Sequence, residues 1–429
     1  MATLSPASAL SPDLTKHCRD IATRARSAAL ELAGAPAAQK AAALQAAAAQ
    51  IRADVADILA ANKLDLAAAA DFGLTAAEVD RLLLDAHRVE GIAAGVSAVA
   101  CLPDPVGEIL ERSTRPNGLD ICKIRVPLGV VFFIYESRPN VTADAAAVAL
   151  AAGNAIILRG GKEAAHSSAR LVASMRTAIQ ANGLPVDCVQ LVDTADRNAV
   201  GAFLAMDDLI DIVIPRGGET LIRRVCAEAR MPVLKHFTGN CHVYVDRAAD
   251  LAMAQAITVN AKCQRMGVCN AVESLLVHRD VAAAFLPVIA QALAPFGIEI
   301  VGDAETRKLI VNAGIATDTD FATEYLGPKI SVAVVDSLDA AIEHVNRYGS
   351  RHTDSIITSD QTAADRFAAR VDTAVVMVNA STRFNDGGEM GLGAEIGIST
   401  DKLHARGPCG TRELTTYKYI VTGTGQTRS

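Results

Sequence analysis

From Gly129 onward the chain alternates short, mostly apolar runs with helical stretches of about ten residues or more, and that alternation leaves few folds open. The runs VVFFIY (130–135), AIILRG (155–160), CVQLV (188–192) and LIDIVI (209–214) carry apolar side chains at successive positions, so both faces need covering. Helical patterns over 142–152, 163–181, near 196–204 and over 218–230 supply that cover, and PVLKHF (232–237) reads as one more strand. Strand, helix, strand in this order is the pattern of parallel βαβ units. A second such series follows Val259, with strands at ESLLVH (273–278), IEIVGD (298–303), ISVAVVD (330–336), SIITS (355–359) and AVVMVNA (374–380). The fold class is therefore α/β.

The rest of the chain reads differently. Residues 13–100 are helical in pattern, with three-to-four apolar spacing over Asp13–Leu32 and Gln39–Leu59 and a turn at Asp71–Thr75. Between Gly107 and Val126 the pattern becomes alternating, with turn chemistry at Pro116-Asn117-Gly118, which predicts a hairpin. The segment Thr411–Val421 alternates again and is expected to pair with that hairpin, in the same subunit or a neighbouring one. At 429 residues, more than one domain is expected.

A net charge of −7 argues against a nucleic-acid surface, which needs a basic patch, but leaves room for a local basic pocket. No apolar run approaches the roughly 20 residues that span a bilayer, and the first residues lack the features of a secretory signal. Nine cysteines form no C-x-x-C pair, which predicts a reducing, cytoplasmic setting. Cys18, Cys101, Cys188 and Cys226 read as buried structural thiols.

Four segments carry residues suited to chemistry. In Gln264-Arg265-Met266-Gly267-Val268-Cys269-Asn270, a cysteine follows a glycine in a loop between a helix and a strand. Lys262 and Arg265 would there stabilise both a thiolate and an anionic substrate. Cys263 is a competitor that local chemistry does not exclude, and a buried structural thiol is the plainer reading of either. In Tyr135-Glu136-Ser137-Arg138-Pro139-Asn140-Val141-Thr142, the Asn140 amide suits a developing oxyanion, or else Asn140 and Thr142 cap a helix. Arg159-Gly160-Gly161-Lys162-Glu163 and Arg216-Gly217-Gly218-Glu219 each join a strand to a helix through two glycines. Each alone is equally a tight turn. Two at successive crossings of one sheet favour a nucleotide, because nucleotides bind at the carboxyl ends of such strands.

On these residues the chain resembles the aldehyde dehydrogenase superfamily and, within it, the γ-glutamyl phosphate reductase family. The resemblance runs from about residue 13 to 421 and rests on YESRPNVT (135–142), ILRGGKE (157–163), IPRGG (214–218), NAKCQRMGVCNAVE (260–273), EYLGP (324–328) and RFNDGGEMGLGAEIGISTDKLHARGP (383–408). It implies a Rossmann-type cofactor domain over 1–107 and 127–255, a catalytic α/β domain over 256–405, and a small β oligomerisation flap from 108–126 and 411–421. It also implies that Cys269 is the nucleophile and that Asn140, with the Cys269 N–H, holds the oxyanion. Arg159, Lys162, Gly217, Gly218 and Glu324 fall at cofactor-binding positions, Glu324 on the nicotinamide ribose. Lys162 stands where NAD-preferring members often carry glutamate, so NADPH is the implied cofactor.

Two departures from the superfamily pattern matter. His236 takes the place of the general-base glutamate of hydrolytic members, which favours acyl-phosphate chemistry over carboxylate formation. Met266 stands where the reductase family usually has proline, which is expected to loosen the loop. The implied reaction converts L-glutamyl 5-phosphate to glutamate 5-semialdehyde through a thioester, in proline biosynthesis, with no metal. Ser137, Arg138, Arg383 and Asp386 are candidates for the glutamate backbone, and Arg216, His236, Lys262 and Arg265 for the phosphate. The resemblance implies a homo-oligomer, dimer or tetramer, and the lability of the substrate points to transient contact with the glutamate 5-kinase that makes it. Alternatives are a non-phosphorylating or coenzyme-A-acylating dehydrogenase, or an inactive scaffold of the same fold.

Overall fold

A computed structural model describes residues 11–428 except Ser137 and His236, so the site roles expected of those two lie outside the described residues. The chain divides into two units. The first comprises residues up to 235 with 391–397 and 409–429, and the second 236–390 with 398–408.

The first unit is built on a four-stranded parallel sheet in the order Val189–Leu191, Ala155–Arg159, Val130–Tyr135, Ile212–Arg216. Val130–Tyr135 is buried at every position, as an uninterrupted apolar run predicts for a strand covered on both faces. The helices Pro139–Ala151 and Ala165–Ala181 follow the first two crossings, and Glu219–Glu228 follows Ile212–Arg216. The expected strand 232–237 is reduced to a single bridge between Val233 and Val213. The N-terminal stretch is helical as expected, but the pattern over Gln39–Leu59 is two helices, Ala37–Ala53 and Val55–Ala67. They part at Asp54, whose carboxylate accepts from Ser174 and pairs with Arg170 at 2.9 Å. The hairpin forms as Ile109–Thr114 and Asp120–Pro127, and Thr415–Thr422 pairs antiparallel with its second strand within this chain. Together they make a separate three-stranded sheet.

The second unit holds a seven-stranded parallel sheet in the order Gly314–Ile315, Glu299–Gly302, Lys329–Val335, Val272–His278, Cys241–Val245, Thr353–Ile357, Val375–Val378. Alternate residues of the central strand feed two cores. Leu275 and Val277 pack with Phe285, Leu286 and Ile289 on one face, and Leu276 with Tyr244, Ile342 and Phe367 on the other. Each such side chain contributes about 1.5–3 kcal/mol by leaving water.

Two expectations need correcting here. Cys241–Val245 lies between Val272–His278 and Thr353–Ile357, so the second unit begins at residue 236, not near 256. Its apolar run reads the same whichever sheet receives it. Residues Arg279–Phe296, overlooked as an apolar run, are long and apolar enough by composition to cross a membrane. Ala282, Phe285, Leu286, Ile289 and Leu293 form one face of this stretch and pack into the core.

Candidate active site

Asp250 opens the helix Leu251–Cys263 by accepting from the Ala252 and Met253 N–H groups, and that helix delivers the chain into the loop that carries Cys269. Three features fix this loop. Met266 is half-buried and packs against the core. The Cys241 thiol donates to the Cys269 carbonyl at 3.2 Å. Gly239 lies so close to Cys269 that any side chain there would overlap its carbonyl oxygen. Beyond the nucleophile, the Asn270 amide donates to the Asn385 carbonyl at 2.9 Å, and the Thr382 hydroxyl to the Asn270 carbonyl at 2.7 Å. The start of the 383–408 block is thereby laced to the Cys269 loop.

These tethers bring charged candidates together. Arg383 donates to Gln264 at 2.9 Å and stands within electrostatic reach of Arg265, Asp386 and Cys269. Burial first, then neighbouring Arg265, hold the Arg383 guanidinium below its ordinary value. Arg265 and Asp386 are exposed, and Glu324 is half-buried. Lys262 is a different case. It is wholly buried and pairs with Glu273 at 2.5 Å, so it is withdrawn from the phosphate candidates and from thiolate stabilisation. Burial pushes the Glu273 carboxyl up, Lys262 opposes this, and Glu324 adds to it. Cys263, the competing thiol, is half-buried beside the core, and burial raises it above its ordinary value. Of the thiols expected to be buried, Cys18 and Cys188 are, Cys226 is half-buried, and Cys101 is exposed at the end of its helix.

In the first unit, the carboxyl ends of adjacent strands set Arg159 and Arg216 on either side of the Ile134–Tyr135 strand end. Burial lowers the Arg159 guanidinium; its Nη atoms bond the Gly160 and Ala195 carbonyls, while its buried Nε has no partner. Arg216 rests against Gly397, with its buried Nη1 likewise unpartnered. A side chain at Gly160 would meet the Tyr135 ring at 3.0 Å, so the ring would have to shift to admit one. Lys162 is exposed, its ammonium 4.5 Å over the Phe72 ring. These unpartnered guanidinium donors and the exposed ammonium fit an anionic dinucleotide. The helix termini are less open than the glycines suggest. Glu136 accepts from Gly218 N–H at 2.9 Å, and Asp65 from the His166 and Ser167 N–H groups.

Asn140 does not cap its helix. Arg138 is the N-cap residue, exposed and without a side-chain capping bond, while the Asn140 amide donates to Asp144 at 3.1 Å. Thr142 is buried and bonds Tyr135 and Ser168. Burial raises the Asp144 carboxyl to about 6, with the Asn140 bond opposing.

Parallel sheets with glycine turns at their strand ends, and a tethered cysteine loop followed by a glutamate segment, define an oxidoreductase of the aldehyde dehydrogenase class, and the model of the aldehyde dehydrogenase family matches residues 11–315 and 306–394. The chain is 59% identical to Gamma-glutamyl phosphate reductase of Rhodopirellula baltica, over 97% of this chain and 96% of the relative. It is 56% identical to the protein of the same name from Rhizorhabdus wittichii, over 95% of each chain. The solved structure of Gamma-glutamyl phosphate reductase from Thermotoga maritima superposes with a TM-score of 0.94 at 42% identity, covering 96% of this chain and all of that one. This chain belongs to the gamma-glutamyl phosphate reductase family.

Sequence reading missed Gly239, Cys241, Glu273, Asn385 and Asp144. Only Asp144, four residues after Asn140 on one helix, left a local signal.

Proposed function

We propose that this chain reduces γ-glutamyl phosphate to glutamate 5-semialdehyde and phosphate with NADPH, in the cytoplasm, as a step of proline biosynthesis. The observation that carries this reading is the cationic pair Arg265 and Arg383 within electrostatic reach of each other, with Arg383 also in reach of Cys269, on a chain whose relatives are named for this substrate. Cations beside a nucleophilic sulfur favour both the thiolate and a phosphate-bearing substrate.

In this reading the Cys269 thiolate bonds to the acyl carbon, and the Asn140 amide stabilises the oxyanion. The carbon–oxygen bond to phosphate then breaks, its electron pair leaving with phosphate, and a thioester remains. Arg265 balances the charge of the departing group. A bound nicotinamide dinucleotide would supply the hydride that the thioester carbon needs. The Cys269 sulfur then leaves as thiolate, and the aldehyde is released. Arg159, Lys162, Gly217 and Gly218 are assigned to the dinucleotide and Glu324 to its nicotinamide ribose. The exposed Lys162 ammonium supports selection of a 2′-phosphate. Arg383 or Arg138 is assigned to the glutamate carboxylate, Asp386 to its amine, and Arg216 remains a phosphate candidate. The exposed Tyr417, Tyr419, Ile420 and Val421 on the outer strand support assembly of identical chains through that sheet.

The test is NADP reduction driven by glutamate 5-semialdehyde, with and without inorganic phosphate or coenzyme A. The reading requires phosphate dependence. Turnover with water alone selects a non-phosphorylating dehydrogenase, turnover with coenzyme A an acylating one, and none a scaffold.

A further inference from the structure

Lys262 and Glu273 are both wholly buried and bonded at 2.5 Å, one in the last turn of the helix before the Cys269 loop and the other in the strand after it. A buried ion pair gains little stability over apolar residues of similar size, so its presence calls for a further role. The second Glu273 oxygen shows where to look. It accepts the Leu326 N–H at 3.2 Å, two residues beyond Glu324. Leu326 has φ 51°, a left-handed backbone that a side chain disfavours and that persists only where surroundings impose it. On its other side, a side chain at Gly267 would stand 3.8 Å from the Leu326 carbonyl oxygen, so the Leu326 peptide also lies beside the Cys269 loop. Glu273 and Glu324 are close enough to interact electrostatically.

We propose that the Lys262–Glu273 pair is a positioning site that holds the Glu324–Leu326 backbone in place against the loop carrying Cys269, and so sets the cofactor contact and the nucleophile relative to each other. Lys262 opposes the effect of burial on the Glu273 carboxyl and orients it; the second oxygen of that carboxyl holds the strained peptide. The inference rests on the assignment of Glu324 to the cofactor, and its test separates the two.

Two double variants differ only in the hydrogen-bond acceptor. Lys262→Met with Glu273→Gln keeps a carbonyl for the Leu326 N–H, whereas Lys262→Met with Glu273→Met removes it at similar volume. Calorimetric binding of NADP to the substrate-free protein is expected to weaken about two- to tenfold in the Met/Met variant, the worth of one hydrogen bond, and to stay within twofold of wild type in the Met/Gln variant. Iodoacetamide labelling of Cys269 without cofactor should change in the same order. Equal NADP binding and labelling by the two variants and wild type would overturn the proposal. Glu324→Gln is the comparator. If it binds NADP normally while Met/Met is weak, the Glu324 assignment fails and the positioning role stands; if it is weak while Met/Met binds normally, the positioning role fails. Hydrogen exchange on the wild type needs no variant to fold. The Leu326 amide, on a residue 49% exposed, should be protected, and exchange at the rate of an open loop would sink the idea.

Discussion

The Cys241 thiol hydrogen-bonds the carbonyl of Cys269, so the main chain of the proposed nucleophile rests directly on the strand beneath it. That contact exists because Gly239, two residues before Cys241, leaves room for the Cys269 carbonyl. Gly239→Ala is expected to push the loop away, costing about 1–3 kcal/mol of stability by overpacking. Misplacing a nucleophile by about an ångström lowers rates on the order of a hundredfold. Turnover should therefore fall about a hundredfold in a protein that still folds; unchanged turnover would show that the loop position is not critical.

Cys269→Ala should abolish turnover while NADP binding persists. Cys263→Ala should keep most activity, because that sulfur packs beside the core and burial disfavours its thiolate. Rates and mass-spectrometric trapping of the acyl-enzyme decide between the two; an acyl group on Cys263 would reverse the assignment.

Asn140→Ala should lower turnover by roughly a hundredfold, the usual effect of losing one oxyanion donor. Asn140 makes no capping bond, but losing its bond to Asp144 should cost about 1–3 kcal/mol of stability and lower the melting temperature. Loss of stability with intact turnover would return the residue to a structural role.

Wild-type protein should prefer NADPH over NADH by about one to two orders of magnitude, matching about 1.5–3 kcal/mol for a hydrogen bond to a charged group. The preference should shrink as salt rises, because Lys162 is exposed. Lys162→Glu should erase or reverse it by repelling the 2′-phosphate. Steady-state kinetics with both cofactors read this out, and equal use of NADH by the wild type would remove Lys162 from that role.

Stability should fall on the acid side partly through His344. Burial lowers its imidazole from the ordinary 6.5 to about 3, with His242 and Arg347 adding to the effect. Its other close neighbours are the Phe321 and Tyr348 rings, and His242 is itself bonded to Asp354. A depressed folded-state value means that the unfolded chain takes up the proton first. The contribution is complete above about pH 6.5 and is lost as pH falls toward 3, amounting to about 2 kcal/mol by pH 5. His344→Gln should flatten the decline between pH 7 and 5 by about that much in urea melts. Parallel declines in the two proteins would rule this out.

Reading the chain alone located what is local. The apolar runs of both sheets other than Cys241–Val245 and the short Gly314–Ile315, the glycine turns after Arg159 and Arg216, and the cysteine loop each announce themselves within about ten residues. What it missed depends on neighbours distant in sequence. Lys262 looked like a phosphate-binding cation because a helix end near a cysteine suggests one, and only the fold brings Glu273 to it. Gly239 and Cys241 carry no signal of their own, since a small residue and a buried thiol gain meaning only when Cys269 arrives above them. Of the two readings open for Asn140, oxyanion donor or cap, the cap is not made, and the bond to Asp144 along the same helix was overlooked.

The first unit is sewn shut by the last strand. Thr415–Thr422 pairs with Asp120–Pro127, Asn154 donates to the Leu414 carbonyl at 2.8 Å, and Arg412 bonds Glu108. During synthesis those partners are separated by the whole of 236–390, so the ribosome releases the second unit's sheet before the first can close. The hairpin Ile109–Thr114 and Asp120–Pro127 must wait with one edge unpaired, and the second unit, a nearly continuous insert, is free to fold while it waits. A translation stop or proteolytic cut before Thr415 would thus leave the edge of Asp120–Pro127 bare and the second unit's sheet complete.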